Sequence, residues 1–288
     1  MKIVTYNIQF GRGRDHRVDL ERITEAVRGA DIIVLQEVDR YWPRSGNTDQ
    51  IAALSTLLPD YYWAYGAGLD VFDPSASVGQ HPQGQRRQFG NLLLSRYPLR
   101  SVRNHLLPQY TGLHALSIQR SALEVLIETR SAQLRLYNLH LTHLSAETRN
   151  RQLRHLLELH DHAAITGPVI SGNTIHPDWP IDLPLQVPSN ALLMGDFNLE
   201  YNSPEYDLLV GPVGDYGGRI DNPCRFVDAW VASNHEESSG VTSDIQARPV
   251  RLDYFFVSCP LRAAITDCWI DSEAHGSDHQ PVWLQIDL

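Results

Sequence analysis

An α/β fold is predicted, in which a β-sheet from each half of the chain packs face to face with helices outside. Three observations carry it. The N-terminal region reads strand, helix, strand, a βαβ unit. Strand-like apolar runs recur in both halves of the chain. Of the 288 residues, 42% are apolar, ample for a large core. That length leaves one large domain and two small ones both open.

The elements follow in order. Residues 2–8, KIVTYNI, alternate as a strand does, and DLERITEAVRGA puts Leu20, Ile23 and Val27 at helical spacing, with Asp19 as N-cap and Gly29 near the end. DIIVLQEV is a continuous apolar run, suited to a strand buried on both faces. The two strands should be parallel neighbours, so Asn7 and Glu37 lie near their carboxyl ends, where open α/β sheets place their sites. DQIAALSTLLP predicts a short helix with Ile51, Leu54 and Leu58 on one face and Pro59 as its stop. YYWAY reads as a strand, and the Gly-, Gln-, Pro- and Ser-rich residues 66–89 as one long loop. GNLLLS, ALEVLIET and LRLYNLHL are strand runs, the last two joined by a hairpin turn at 130–133. AETRNRQLRHLLELHDHA is an amphipathic helix with Leu153, Leu156 and Leu157 inward, and its histidines, His155, His160 and His162, read as surface or satisfied residues. A second long loop, rich in proline, covers 167–189. The strand ALLMGD, a short helix near SPEYDLL, a helix at FVDAWVAS and the strands RLDYFFVS, AITDCWI and PVWLQIDL complete the chain.

A formal charge of −10 removes the basic footprint that drives tight nonspecific binding of nucleic acid. Local clusters at Arg12, Arg14 and Arg17, at Arg86 and Arg87, and at Arg248 and Arg251 read first as solvated surface. Cys224, Cys259 and Cys268 are odd in number and lack CxxC spacing, so neither a disulfide framework nor a zinc knuckle is indicated. The start MKIVTYNIQF has no signal core, and no apolar run approaches about 18 residues, so a soluble, cytoplasmic protein without a transmembrane segment is expected.

Several strand ends share one feature: an apolar run stops at a residue suited to metal or phosphate chemistry. Asn7 ends the first strand and Glu37 the second, His140 ends LYNLHL, Asp196 and Asn198 follow LLMG, and Asp278 and His279 lie in the GSDHQPV turn. Asp196 and Asn198, two apart on an extended chain, should face one spot. Buried carboxylates and imidazoles are costly unless paired or coordinated, and a shared cation would serve them all. Carboxylates and carboxamides without a thiolate cluster favour a hard ion, Mg²⁺ or Mn²⁺, and through it phosphoester hydrolysis. Each residue also has a plainer reading: Asn7 as a strand-end turn residue, Asp253 as a salt-bridge partner of Arg251 or Arg248.

TYNI, LQEVD, GNLLLSRYPL, NLHLTH, GDFN, RLDYFFVS and SDHQPV stand in the order and approximate spacing of the endonuclease/exonuclease/phosphatase superfamily. The chain resembles that DNase I-like family from about residue 2 to 287. The resemblance implies a single catalytic domain over 1–288, built as a four-layer α/β sandwich with two packed mixed sheets flanked by helices. It implies Glu37 as principal metal ligand with Asn7 and Asp278, and Asp196 as the carboxylate that aligns or deprotonates the attacking water. Asn198 would hold that water or a phosphate oxygen. His279 would contact the scissile phosphate, oriented by Asp253, and His140 would be a general acid for the leaving oxygen. Arg120 and Asn91 would bind substrate. Two departures stand out: Leu139 replaces the commoner threonine before the histidine, and Ser121 stands where close relatives often have glycine.

The superfamily spans nucleases, sphingomyelinases, inositol-phosphate phosphatases, deadenylases and tyrosyl-DNA phosphodiesterases, so the fold does not choose a substrate. The acidic charge favours a small or lipid-derived phosphodiester over DNA or RNA. Trp179, or Tyr41 and Trp42 after Glu37, are candidates for a substrate lid, whereas Tyr61, Tyr62 and Trp63 read as strand. A non-catalytic module that kept only the fold would be expected to lose Glu37, Asp196 or His279 first, and all three are present.

Overall fold

The computed structural model describes residues 1–73, 86–112, 114–129, 131, 133–171, 178, 186–220, 222–244 and 248–288. In chain order its elements are β1 (Lys2–Asn7), α1 (Leu20–Ala26), β2 (Ile32–Arg40), α2 (Gln50–Leu57), β3 (Tyr62–Phe72), β4 (Arg86–Ser95), β5 (Leu99–Leu106), β6 (Ser121–Glu128) and β7 (Gln133–His140). They continue with α3 (Ala146–Asp161), α4 (Ala163–Thr166), β8 (Ala191–Asp196), α5 (Pro204–Val210), β9 (Phe226–Asp228), α6 (Ala229–Ala232), β10 (Asp253–Ser258), β11 (Ile265–Ile270) and β12 (Val282–Ile286). Two six-stranded sheets form, in the orders β11-β12-β1-β2-β4-β3 and β5-β6-β7-β8-β10-β9. Each contains one parallel pair, β1 with β2 and β7 with β8, among antiparallel neighbours.

The sheets are not drawn from the two halves of the chain as expected. β1 is buried from Ile3 to Asn7 and needs a partner on both edges; β12 supplies the second, antiparallel, with Val4 opposite Trp283. The C-terminal hairpin therefore belongs to the first sheet, while β5 and β6 belong to the second. The long loop expected at 66–89 is also shorter than that. β3 runs on to Phe72 and pairs with β4 from Arg86, with Tyr65 opposite Leu92 and Asp70 opposite Gln88. The glycines that suggested a loop mark close backbone approach instead: a Cβ on Gly90 would lie 2.1 Å from the Gly66 carbonyl oxygen. β5, LRSVRNHL, was not expected from its sequence because it is an edge strand that mixes polar residues with Val102 and Leu106, which face water, and so lacks a continuous apolar face. In FVDAWVAS the first three residues form β9, and Asp228 ends that strand by capping α6 through the Trp230 amide. The expected turn at 130–133 and the proline-rich stretch including Trp179 lie partly outside the described residues.

Alternation along the strands builds the layers. Ile3, Ile32, Val34, Leu136, Leu192, Met194 and Phe255 interdigitate between the sheets. On one outer face Val4, Tyr6, Ile33 and Leu35 meet Ile23 and Leu54 of α1 and α2; on the other Tyr137, Leu193 and Phe256 meet Leu153, Leu156 and Tyr206 of α3 and α5. Each such buried side chain contributes roughly 1.5–3 kcal/mol of transfer free energy. Asp19 caps α1 as expected, its carboxylate accepting from the Glu21 and Arg22 amides. Among the described residues, no helix is long and apolar enough to cross a membrane, and Cys268 is buried while Cys224 is exposed.

Candidate active site

The inward faces change character along the strands. On β1 the inner positions run Ile3, Thr5, Asn7; on β7 they run Leu134, Leu136, Asn138, His140; on β8, Leu192, Met194, Asp196. Apolar residues thus give way to a buried amide layer and then to acids and imidazoles at one edge of the sandwich. Asn138 forms the amide layer: it donates to the carbonyls of Leu35 and Leu92 across the sheet interface (3.0 and 2.9 Å) and accepts from Gln36 Nε2 (2.7 Å). Asn91 joins it, donating to the Ser121 carbonyl at 2.9 Å, so the residue expected to bind substrate is 2% exposed and braces one sheet against the other. Asn138 and Gln36 were passed over in the sequence, although Asn138 shares a strand face with His140 and Gln36 lies opposite Asn7 on the neighbouring strand.

Above this layer the acids and histidines are set by register. His140 of β7 pairs with Asp196 of β8, and Asp196 pairs in turn with Asp253 of β10. Gly195 makes that possible. Its φ is +138°, and a Cβ there would lie 2.0 Å from the Leu139 carbonyl oxygen. The chain does not stay extended beyond it: Asn198 has φ 51°, its backbone amide donates to Asp196 Oδ1 at 2.9 Å, and its side-chain amide turns to the Leu141 carbonyl at 3.1 Å. Glu37 reaches the cleft because β2 bulges between Leu35 and Val38 and Glu37 adopts φ 60°.

Contacts across the cleft tie the sheets together. Asn7 Nδ2 donates to Asp196 Oδ2 at 2.9 Å and to Glu37 Oε1 at 3.4 Å. His140 Nε2 lies 3.4 Å from Asp196 Oδ2 and 3.9 Å from Glu37 Oε1. His279 Nδ1 meets Asp253 Oδ2 at 2.7 Å, and its Nε2 lies 3.9 Å from Asp196 Oδ2. Asp278 accepts from Gln9 Nε2 at 2.7 Å, a partner not foreseen in the sequence. Arg120 sits behind His140, its Nη1 2.9 Å from His140 Nδ1 and its Nη2 3.4 Å from His143 Nδ1. The plainer reading of Asp253 does not hold, since Arg251 pairs with Asp228 at 2.7 Å and Arg248 with Glu200. Of the ten expected residues, nine gather at this edge of the sandwich, Arg120 and Asp253 standing behind His140 and His279, while Asn91 lies in the amide layer below.

The charges are strongly shifted. Burial pushes the Asp196 carboxyl up to about 7, with His279 opposing and Asp253 reinforcing. Burial works against a charged His279, but Asp253 and Asp196 outweigh it and raise the ring to about 10. Burial and the adjacent Arg120 cation hold His140 well below the ordinary histidine range. Glu37 is raised by burial, against the pull of Arg120 and His279, although 22% of its side chain stays open to the cleft.

A hard cation suits this donor set. Glu37 is a partly open carboxylate that accepts from the Asn7 amide and faces His140, and the Asp278 carboxylate, which accepts from Gln9, is near enough to act on its charge. Asn7 turns its amide nitrogen to the carboxylates and its oxygen to the Gln9 amide (3.1 Å), so as it stands it orients Glu37 and Asp196. Asp196, Asp253 and His279 also bring ligand atoms within 4.8 Å of one another, a grouping able to hold a metal. The close ion pair of His279 with Asp253 makes that ring a poorer ligand than the oxygens of Glu37 and Asp278.

This fold and cleft define a phosphoesterase-type scaffold of two packed mixed sheets. The profile of the Endonuclease/Exonuclease/phosphatase family matches residues 4–279, and the chain belongs to that family. No curated protein sequence matches it significantly. Among solved structures, it is similar to an endonuclease/exonuclease/phosphatase from Beutenbergia cavernae, with TM-score 0.65 and 20% identity over 99% of this chain and 70% of that one. A Bacteroides vulgatus protein of the same description aligns with TM-score 0.66 and 16% identity over 100% of this chain and 98% of that one. The Bacteroides thetaiotaomicron mannosyl-6-phosphatase Bt3783 aligns with TM-score 0.61 and 14% identity over the full length of both. These likenesses establish the DNase I-like fold.

Proposed function

We propose that this chain is a divalent-metal-dependent phosphoester hydrolase acting on a phosphodiester, by in-line attack of an activated water. The observation that carries this reading is Asp196, held in register between His140 and Asp253 and poised near neutrality with His279 facing it across 3.9 Å. A base whose affinity for protons matches the working pH is suited to take the proton of an attacking water. Asn198, anchored to the Asp196 carboxylate through its backbone amide, holds that loop at the water's side. His279, kept cationic by Asp253, is placed to neutralise charge on the phosphoryl oxygens and to carry the proton to the leaving oxygen. Glu37 and Asp278 would hold Mg²⁺ or Mn²⁺, which when bound supplies electrostatic stabilisation of the charge gathering on phosphate.

The substrate favoured is a small or lipid-derived phosphodiester. Arginines that might have formed a nucleic-acid patch are matched by carboxylates: Arg14 by Asp244, Arg86 by Asp70, Arg87 by Asp73 and Arg248 by Glu200. Trp42, a candidate lid, is held to the sheet by its Nε1, which donates to the Gln88 carbonyl at 2.8 Å, and this tether argues against a lid role.

Hydrolysis of bis(p-nitrophenyl) phosphate with Mg²⁺ or Mn²⁺, with and without EDTA, tests the reading beside Asp196→Asn and His279→Ala. Activity that survives chelation, or both substitutions, overturns it. A panel of plasmid DNA, RNA, sphingomyelin, glycerophosphodiesters and phosphomonoesters assigns the substrate. The monoester arm matters because one structural neighbour is a mannosyl-6-phosphatase.

A further inference from the structure

We propose that Arg120 is a positioning residue that, with His143, locks His140 as an imidazole carrying its single proton on Nε2, so that His140 offers the substrate a fixed hydrogen bond. The inference rests on the hydrolase reading for its catalytic meaning, but the geometry behind it stands apart from any substrate.

A guanidinium has donors and no acceptor. Each ring nitrogen it meets must therefore accept, and Arg120 meets two: His140 Nδ1 at 2.9 Å and His143 Nδ1 at 3.4 Å. Both Nδ1 atoms are then unprotonated, and each neutral ring carries hydrogen on Nε2. For His140 that N–H lies beside the carboxylate oxygens of Asp196 and Glu37, at 3.4 and 3.9 Å, which are acceptors. The two histidines that face Asp196 are thus backed in opposite ways. His279 has a carboxylate, an acceptor, behind it at 2.7 Å; His140 has a guanidinium, a donor, behind it at 2.9 Å.

The His140 arm of the clamp is buried, and His143 closes it from the exposed side. Arg120 is 6% exposed and forms no carboxylate salt bridge among the described residues, so the two imidazoles are its direct side-chain partners. Its carbonyl accepts from the Leu107 amide at 2.9 Å. The turn that carries His143 is braced by α3, where Gln152 Oε1 accepts from the Thr142 amide (3.0 Å) and Arg149 donates to the Thr142 carbonyl (3.4 Å). Two roles expected from the sequence change as a result. Arg120 is turned to the histidines and acts through them, and His140 is a donor of fixed tautomer, which leaves the carried proton to His279.

The test is ring nitrogen NMR on the full-length protein labelled with ¹⁵N-histidine, joined to a double-mutant cycle. In the wild type, His140 and His143 should both show a bare Nδ1 and a protonated Nε2 at neutral pH. Arg120→Met should leave both as tautomer mixtures without changing His279; Arg120→Lys, a milder change that keeps the charge, should hold His140 and release His143. In turnover, Arg120→Met should lower kcat about 10²-fold with little change in KM, the scale of losing one aligned donor. Adding it to His140→Ala should cost no more than about threefold beyond His140→Ala alone. A proton found on His140 Nδ1, or losses that multiply in the double mutant, would overturn the proposal. Absence of turnover on every substrate with the expected tautomers intact would count against the hydrolase reading and not against the clamp.

Discussion

Gly195→Ala should damage stability and catalysis together, and both sizes follow from one distance. The added Cβ would lie 2.0 Å from the Leu139 carbonyl oxygen, against roughly 3.5 Å for ordinary contact. Strands β7 and β8 must then part by more than about 1 Å, in a core where overpacking costs about 1–3 kcal/mol. Alanine at φ +138° adds about 1–3 kcal/mol of backbone strain. The sum, about 2–6 kcal/mol, corresponds to a fall on the order of 10 °C in melting temperature for a chain of this size. His140 and Asp196 are the next registered pair along these strands, and a misplacement of about 1 Å there should lower kcat/KM about 10²-fold. Gly29→Ala is the control. Its φ is also positive, +89°, but its Cβ would meet nothing within 4 Å, so only strain remains. Thermal melts by circular dichroism and turnover of bis(p-nitrophenyl) phosphate read both effects. A Gly195→Ala protein that melts within about 2 °C of wild type and keeps kcat/KM within threefold would refute the close-approach reasoning.

Two further outcomes are expected. Glu37→Gln should abolish metal-dependent turnover and the rise in melting temperature that Mg²⁺ or Mn²⁺ gives the wild type, yet melt no lower than wild type in EDTA, because burial and Asp278 already disfavour the Glu37 charge; a variant that still gains stability from the metal would contradict the ligand assignment. His160, whose Nδ1 meets Arg135 at 2.8 Å, is lowered to about 4, chiefly by burial and then by that arginine. Between its unfolded value near 6.5 and about 4 the unfolded chain binds the extra proton, so this contribution is whole above pH 6.5 and is lost as pH falls to 4. Because the ring is only partly buried, about 1–2 kcal/mol is expected. Urea titrations of wild type and His160→Gln at pH 7.5, 5.5 and 4.5 should differ by a gap that shifts in the variant's favour with acid; a constant gap would contradict it.

What was legible in the sequence was whatever one strand could state alone. Apolar runs ending in Asn7, Glu37, His140 and Asp196 announced strands that leave a core and enter a polar edge, and the structure brings those ends together. Pairing between distant strands was not legible, because β1 carries no mark that its second edge will be filled by β12. Edge strands were hidden for a related reason. β5 and the far end of β3 face water on one side, so their residues resemble loop residues in composition. At the site, residue types were readable and orientations were not: extended alternation placed Asn198 beside Asp196, but φ 51° turns its amide to Leu141 instead.

The deeper limit concerns proton states. His140 and His279 are the same residue type on the same cleft, and an isolated histidine titrates near 6.5 wherever it stands in a sequence. Their difference is made by what lies behind each ring, Arg120 in one case and Asp253 in the other, supplied by segments 20 and 26 residues away. A substitution in this layer can therefore change which histidine carries a proton while leaving every cleft-facing side chain in place. On the proposed function, the roles of His140 and His279 are set one layer behind the cleft, by Arg120 and Asp253, and that layer is where substitutions should be made to exchange them.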